Sequence, residues 1–188
     1  MTWKYLIEGP WIVFVAYWAI SALKTRRTVR QESFVSRYGI LFLEILGFVF
    51  LFSDVAGIGI LGRRVVERTY ALAISGVALT WTGIAIALWA RYHLGQYWSA
   101  RITLKEDHKL IRTGPYAYLR HPIYSGLDLA AIGGVLAIDR WRCVVGVIWI
   151  ILGYVIKAKR EEALLRAQFG EEFAEHSEHA GFLLPKFR

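Results

Sequence analysis

The sequence predicts an all-α integral membrane protein, and three observations carry that prediction. Of 188 residues, 56% are hydrophobic, with 8 Trp, 10 Tyr and 10 Phe, and the mean hydropathy is +0.39. A water-soluble domain of this length buries too small a share of its surface to hide that much apolar area. The apolar residues gather in five runs, each close to the roughly 20 residues a bilayer-crossing helix needs. Lys and Arg fall between the runs, heavy on alternate sides, as the positive-inside rule requires.

The first span is expected over about Pro10–Leu23, starting nearer Tyr5 if Glu8 snorkels. The second runs from about Gly39 to Leu61 and the third from Tyr70 to Trp89. The fourth, Ile123–Ile138, and the fifth, Cys143–Ile156, are short and separated only by Asp139, Arg140, Trp141 and Arg142, which predicts a tight helical hairpin. The stretches 24–37, 90–122 and 157–188 hold five, six and six basic residues, against one at the N-terminus, three in 63–68 and two in 139–142. That bias puts the N-terminus outside and the tail in the cytoplasm. The first run lacks a basic n-region and a small-residue cleavage site, so it is expected to remain as a membrane helix.

All of 1–188 reads as one membrane domain, without repeats or linkers, in which 90–122 and 157–188 face the cytoplasm. The tail is amphipathic: Leu164, Leu165, Phe169 and Phe173 recur at helical spacing, with Arg166, Glu171 and Glu172 off that stripe. The net charge of +8 lies between apolar runs, which suits anionic lipid headgroups rather than nucleic acid. A single cysteine, Cys143, excludes an intramolecular disulfide and a cysteine-based zinc site. His108 and His121 have no third ligand at a recognisable spacing, so no metal is expected.

Two polar stretches interrupt this pattern. The first, HKLIRTGPYAYLRHPIYSG (108–126), holds a Gly114-Pro115 turn and then Pro122, a residue suited to the first turn of a helix. A helix start offers free N–H groups and a partial positive charge, and Arg120 and His121 stand beside it, so an anion or carboxylate fits there. Read alone, Arg120 serves equally well as a headgroup anchor, and Tyr118 as an interfacial aromatic. The second stretch, KAKREEALLRAQFGEEF (157–173), follows the fifth span. The hairpin brings it beside the start of the fourth span, and because adjacent helical residues point about 100° apart, only one of Glu161 and Glu162 is expected to face a shared pocket. Glu44, Asp54 and Asp128 are ionisable residues at membrane depth, where such groups usually face a bundle interior, although Asp54 lies close to the outer surface. Asp128, about one turn beyond Tyr124, falls at the bottom of a pocket below the first stretch. Gly76, Gly83 and Ala87 read as a close-packing face.

LGQYWS (94–99), H-x-L-I (108–111), GPYAYLRHPIYSG (114–126) and EE-x-x-L-x-x-x-FGEEF (161–173) resemble the isoprenylcysteine carboxyl methyltransferase family, itself similar to the phospholipid N-methyltransferases. The resemblance covers roughly the second half of the chain, and the compact five-span form resembles prokaryotic members. It implies a multi-pass enzyme of the prokaryotic cytoplasmic membrane that uses S-adenosylmethionine and a lipophilic or lipid-modified acceptor. Carried over by position, the cofactor contacts are His108, Leu110, Ile111, Tyr116, His121, Pro122, Tyr124 and Glu161, extended to the neighbours Lys109 and Ile123. Arg120, Lys157 and Asp128 are the candidates for the acceptor side. Lys157 and Arg101 stand where eukaryotic members have an arginine on the prenylcysteine carboxylate and a cofactor-contacting glutamine. Two alternatives remain open at this point. One is an NADPH-dependent enzyme resembling the membrane sterol reductases, with Arg112, Arg120 and Lys159 near a 2′-phosphate. The other is a non-enzymatic membrane scaffold.

Overall fold

The computed structural model describes residues 2–23, 28–31, 34–67, 69–98, 103–105 and 109–186. Five helices dominate: α1 (Thr2–Ala22), α2 (Phe34–Phe52), α3 (Tyr70–Leu94), α4 (Pro122–Ile138) and α5 (Trp141–His179). A small antiparallel ribbon pairs β1 (Thr28–Gln31) with β2 (Thr103–Lys105). Three helical stretches are long and apolar enough to cross a membrane: Tyr5–Ala22, Tyr70–Tyr97 and Trp141–His179. Tyr38–Phe52 and Pro122–Ile138 are shorter apolar helices. The chain is thus a multi-pass, helical membrane protein. Its outward aromatics and aliphatics, among them Tyr5, Ile12, Phe42, Ile74 and Trp89, suit contact with lipid.

The apolar stretch that begins at Gly39 is helical to Phe52 and continues in two 3-10 turns, Asp54–Ala56 and Gly59–Gly62. Ser53 closes α2 and caps the first turn by accepting from the Val55 N–H at 3.3 Å. Helix α3 starts behind Thr69, whose hydroxyl accepts from the Leu72 N–H at 3.2 Å. At its other end α3 passes Trp89 and stops at Leu94, with Gly95 at φ 53° beyond it. Helices α4 and α5 are joined through Asp139, in the left-handed region at φ 56°, and Arg140. Helix α5 extends unbroken from the membrane part to Gly170, where φ 50° and ψ −118° bend it before Glu171–His179.

Small residues set the packing. A Cβ on Gly76 would lie 2.6 Å from the Gly133 carbonyl oxygen, and a Cβ on Gly133 would lie 2.6 Å from that of Gly76. Helices α3 and α4 therefore touch backbone to backbone, with Thr80 Oγ1 donating to its own Gly76 carbonyl at 2.9 Å or across to Ala130 O at 3.2 Å. Gly47 and Gly146 do the same for α2 and α5. In lipid there is little hydrophobic gain between helices, so close van der Waals contact of this kind is what holds a bundle. Gly83 and Ala87 belong to the α3 face, as their spacing suggests, while Trp11, Phe48 and Phe52 pack edge-on between α1 and α2 at 5.2–5.7 Å.

Arg91 sits buried in the last turn of α3. Its guanidinium donates to Gly95 O at 2.7 Å and to Ser21 O at 2.9 Å, with the Trp98 ring 4.4 Å away. It ties the end of α1 to the end of α3. Those ends, the start of α4 and the polar part of α5 all lie at one end of the bundle.

Candidate functional site

At that end the chain turns through Gly114–Ala117, a 3-10 turn that Pro115 starts and Gly114 enters at φ 59°. Any side chain at Gly114 would strike the His93 ring of α3. The turn buries Tyr116 and leads through Tyr118–Arg120 into α4. Leu119 forms a parallel bridge with Gly181: Arg120 N donates to Gly181 O at 2.8 Å, and Gly181 N donates to Tyr118 O at 3.0 Å. The tail thus returns after α5 to line the approach to α4. Ser125 adds a second tie, donating to Leu183 O at 2.7 Å.

Helix α4 begins with His121 as its N-cap and Pro122 at its first turn, and the His121 side chain makes no capping bond to the free N–H groups. Instead its ring faces α5. Nε2 lies 3.2 Å from Glu162 Oε1, and Nδ1 lies 3.6 Å from Glu161 Oε2. Both glutamates therefore reach one ring, where their angular separation on the helix suggested that only one would. The two imidazole nitrogens point to different sides, so a ring set between the carboxylates meets each of them. Arg120 Nε donates to Glu162 Oε1 at 2.6 Å, and its Nη1 donates to Ala180 O at 2.6 Å and Ser177 O at 3.1 Å. Arg120 and Glu162 are only 15% and 13% exposed at their side chains, so this arginine clasps α4 to α5 and the tail rather than anchoring in headgroups.

Burial alone would lower the His121 pKa, but its hydrogen bonds to the Glu161 and Glu162 carboxylates outweigh it and raise it above its ordinary value. Burial would likewise raise Glu162, yet the bonds from His121 and Arg120 bring it below the usual carboxylate range. Burial, then the nearby Glu161 carboxylate, push the Tyr116 phenol up, so it stays neutral and within electrostatic reach of Glu161.

Below His121 an aromatic stack leads inward. The Tyr124 ring lies 5.7 Å from His121 at 11° and 5.0 Å from Tyr154 at 8°. Tyr124 donates its hydroxyl to Glu161 Oε1 at 2.6 Å, and the Lys157 ammonium sits 5.5 Å over its ring. Lys157 also holds Glu44 of α2 at 3.3 Å. Phe182 meets His121 edge-on at 5.3 Å and Arg120 at 5.6 Å.

The structure therefore brings Tyr116, Arg120, His121, Pro122, Tyr124, Lys157 and Glu161 into one neighbourhood, with Ile123 in the adjoining core. Ile111 packs against that core from the approach, Leu110 is half-buried, and Lys109 is exposed. His108 lies outside the described residues, as does Arg101. Asp128 is buried one turn further in. Sequence reasoning gave Glu162, Glu44, Tyr154 and Phe182 no role in the site. For Tyr154 a signal existed, because it stands seven residues before Glu161 and so shares its helix face.

A bundle of apolar helices with a charge-paired polar mouth at one end makes this a multi-pass membrane protein with a candidate site in that mouth. Residues 76–167, which contain most of that mouth, match the model of the isoprenylcysteine carboxyl methyltransferase (ICMT) family. Two curated relatives, each described as "Probable protein-S-isoprenylcysteine O-methyltransferase", come from Oryza sativa subsp. indica and Oryza sativa subsp. japonica. Each is 33% identical over 84 residues, 43% of this chain and 44% of the relative. The match thus spans less than half the length of those relatives.

Proposed function

We propose that this protein is an integral membrane methyltransferase that takes its methyl group from S-adenosylmethionine and delivers it to a lipophilic acceptor. The observation that carries this reading is the convergence of His121, Tyr124 and Glu161 at the start of α4, inside the segment that matches the family. The mouth suits the cofactor's functional groups. The start of α4 has N–H groups that its N-cap side chain does not serve, which suits a carboxylate. Glu161, 24% exposed at its side chain, keeps acceptor capacity for an ammonium or ribose hydroxyls. The rings of Tyr116 and Tyr124 suit a sulfonium by cation–π attraction.

When bound, the cofactor supplies a methyl already activated on a sulfonium. The chain's own part is to orient and to exclude water, and alignment alone is worth effective molarities of about 10⁵–10⁸ M in good cases. Lys109, Leu110 and Ile111 supply one wall of the proposed pocket, Tyr116 with His121, Pro122, Ile123 and Tyr124 the second, and Glu161 the third. Arg120 positions Glu162 and, through it, His121. Lys157 and Asp128 lie on the acceptor side, deeper along α5 and α4. The cofactor enters from the cytoplasm, where the tail lies, and the acceptor from the bilayer, with the N-terminus outside.

Calorimetric titration of the detergent-purified protein with S-adenosylhomocysteine tests this, with Glu161→Ala beside the wild type and NADPH as the competing ligand. Saturable binding of the first ligand that the variant loses is the expected result. Binding of NADPH alone would sink the proposal, and so would binding of neither ligand to a folded protein.

A further inference from the structure

Two helix faces run inward from the mouth and oppose each other. On α4 the face carries His121, Tyr124 and Asp128, and on α5 it carries Glu161, Lys157 and Tyr154. Steps of three and four residues keep each set on one side of its helix. The Tyr124–Tyr154 stack and the Lys157 ammonium over Tyr124 bring the two faces into contact.

The charges along these faces pair off until Asp128. Arg120 and His121 meet Glu162 and Glu161, and Lys157 meets Glu44. Asp128 is 9% exposed, within electrostatic reach of Tyr154, and its Oδ1 has no hydrogen-bond partner. It lies seven residues past His121, about 10 Å further along the helix axis. A carboxylate at such depth is costly unless something pairs with it.

Resting on the methyltransferase reading, we propose that Asp128 receives the methyl acceptor and that the acceptor is an amphiphile with an amine head, not a carboxylate. Charge complementarity decides the class. A carboxylate acceptor would set a second anion beside Asp128, while both nearby permanent cations, Arg120 and Lys157, are already held by Glu162 and Glu44. An ammonium completes the pair that, among the described residues, these two faces leave open. The chemistry follows from the same contact. The ammonium gives a proton to Asp128 Oδ1, and the freed nitrogen lone pair attacks the sulfonium methyl carbon. The N–C bond forms as the C–S bond breaks, leaving a methylated ammonium and a neutral thioether, and Asp128 later releases its proton to water. An amine thus needs the proton acceptor that a carboxylate acceptor, ionised near neutral pH, does not.

The test uses the full chain in a neutral detergent, with dodecylamine, dodecanoate and an S-farnesylated cysteine as acceptors and radiolabelled cofactor. The amine is expected to be methylated in a saturable manner and the two carboxylates not. Asp128→Asn should cut kcat/KM for the amine by about 10²–10⁴, the range of a general base. The same variant should bind S-adenosylhomocysteine and S-adenosylmethionine as the wild type does, and Asp128→Glu should recover part of the rate. A second readout needs no turnover: dodecylamine should raise the thermal midpoint of the wild type but not of Asp128→Asn. Methylation of a carboxylate in preference to the amine overturns the proposal, as does full amine activity in Asp128→Asn. Loss of S-adenosylmethionine binding alone in Asp128→Asn also overturns it, because Asp128 would then pair with the sulfonium. Should S-adenosylhomocysteine fail to bind the wild type, the underlying methyltransferase reading falls instead.

Discussion

Both ends of the helix bundle are polar, but they use charge in different ways. At the far end, the Arg142 guanidinium donates to the Phe50 and Leu51 carbonyls at 3.0 and 2.8 Å, and to Asp54 at 2.8 Å. Arg140 donates to Gly62 O at 2.7 Å, and Asp139 Oδ1 accepts from the Val65 and Val66 N–H groups at 3.1 Å each. These side chains mainly serve backbone groups of the α2 end and the 3-10 turns, much as caps do. At the mouth, charged side chains mostly face one another. Groups that face backbone have fixed partners, whereas a cluster of titratable side chains can exchange partners with a ligand or a proton. That difference separates scaffold from site in a fold where both ends look alike in composition.

The largest effect is expected at Arg142. Replacing it with Met takes the charged donor from the Phe50 and Leu51 carbonyls, leaving Leu51 only the weak Cys143 thiol, and should cost about 3–5 kcal/mol, given about 1.5–3 for each bond to a charged donor. The pairing with Asp54 adds little, since that carboxylate is 97% exposed. Thermal unfolding in detergent should show a large fall in midpoint with no change in the affinity of any surviving folded protein for S-adenosylhomocysteine. An unchanged midpoint would mean that this end is not scaffold.

Glu162→Gln should cost less, about 1.5–3 kcal/mol, because the amide still accepts from Arg120 and His121 but no longer as an anion. Its deficit should also follow pH. His121 titrates above its ordinary 6.5 when folded, so its share is fully present below 6.5 and lost as pH rises through the raised value. Glu162 titrates below its ordinary 4.5, so its share is present above 4.5 and lost as pH falls through the lowered value. The gap in midpoint between wild type and variant should therefore be widest from 4.5 to 6.5 and narrow on both sides. His176, which burial, Arg112 and Arg120 bring below its ordinary value against the opposing pull of Glu162, adds a smaller contribution to the gap on the acid side. A gap that stays flat across pH would place the two ends in one class. The carbonyls held by Arg142 do not titrate, so the deficit at the far end should stay level over that window.

The smallest effect is expected at Arg112, which pairs with Glu172 at 3.2 Å and Glu175 at 3.1 Å beyond the α5 bend. All three side chains are more than a third exposed, and Arg112→Ala should cost less than about 1 kcal/mol. A larger loss in the same unfolding assay would extend the structural core into the tail.

Much of the mouth was legible in the sequence, because its residues lie where helical periodicity and turn chemistry speak plainly. Gly114-Pro115 marked a turn, Pro122 marked a helix start, and the short α4–α5 connection put Glu161 near His121. Arg91 misled: counted among loop cations beyond Trp89, it is buried inside α3 and tied to α1. A basic residue next to an apolar run gives no sign of whether it ends the helix or is absorbed by carbonyls and tryptophan rings. The Lys157–Glu44 pair required knowing that Gly47 and Gly146 draw α2 against α5, and small residues do not name their partners. Nor could the return of Gly181 to Leu119 be read, since a bridge between two irregular segments carries no period.

That return has a consequence for how the protein is made. Arg120 waits for carbonyls at 177 and 180, and Leu119 waits for Gly181, about sixty residues later in the chain. During synthesis every membrane helix can be in place while the mouth still lacks its rim. A nascent chain stalled before Gly181 would be an inserted bundle with an open mouth, so closure of that end follows insertion of the helices.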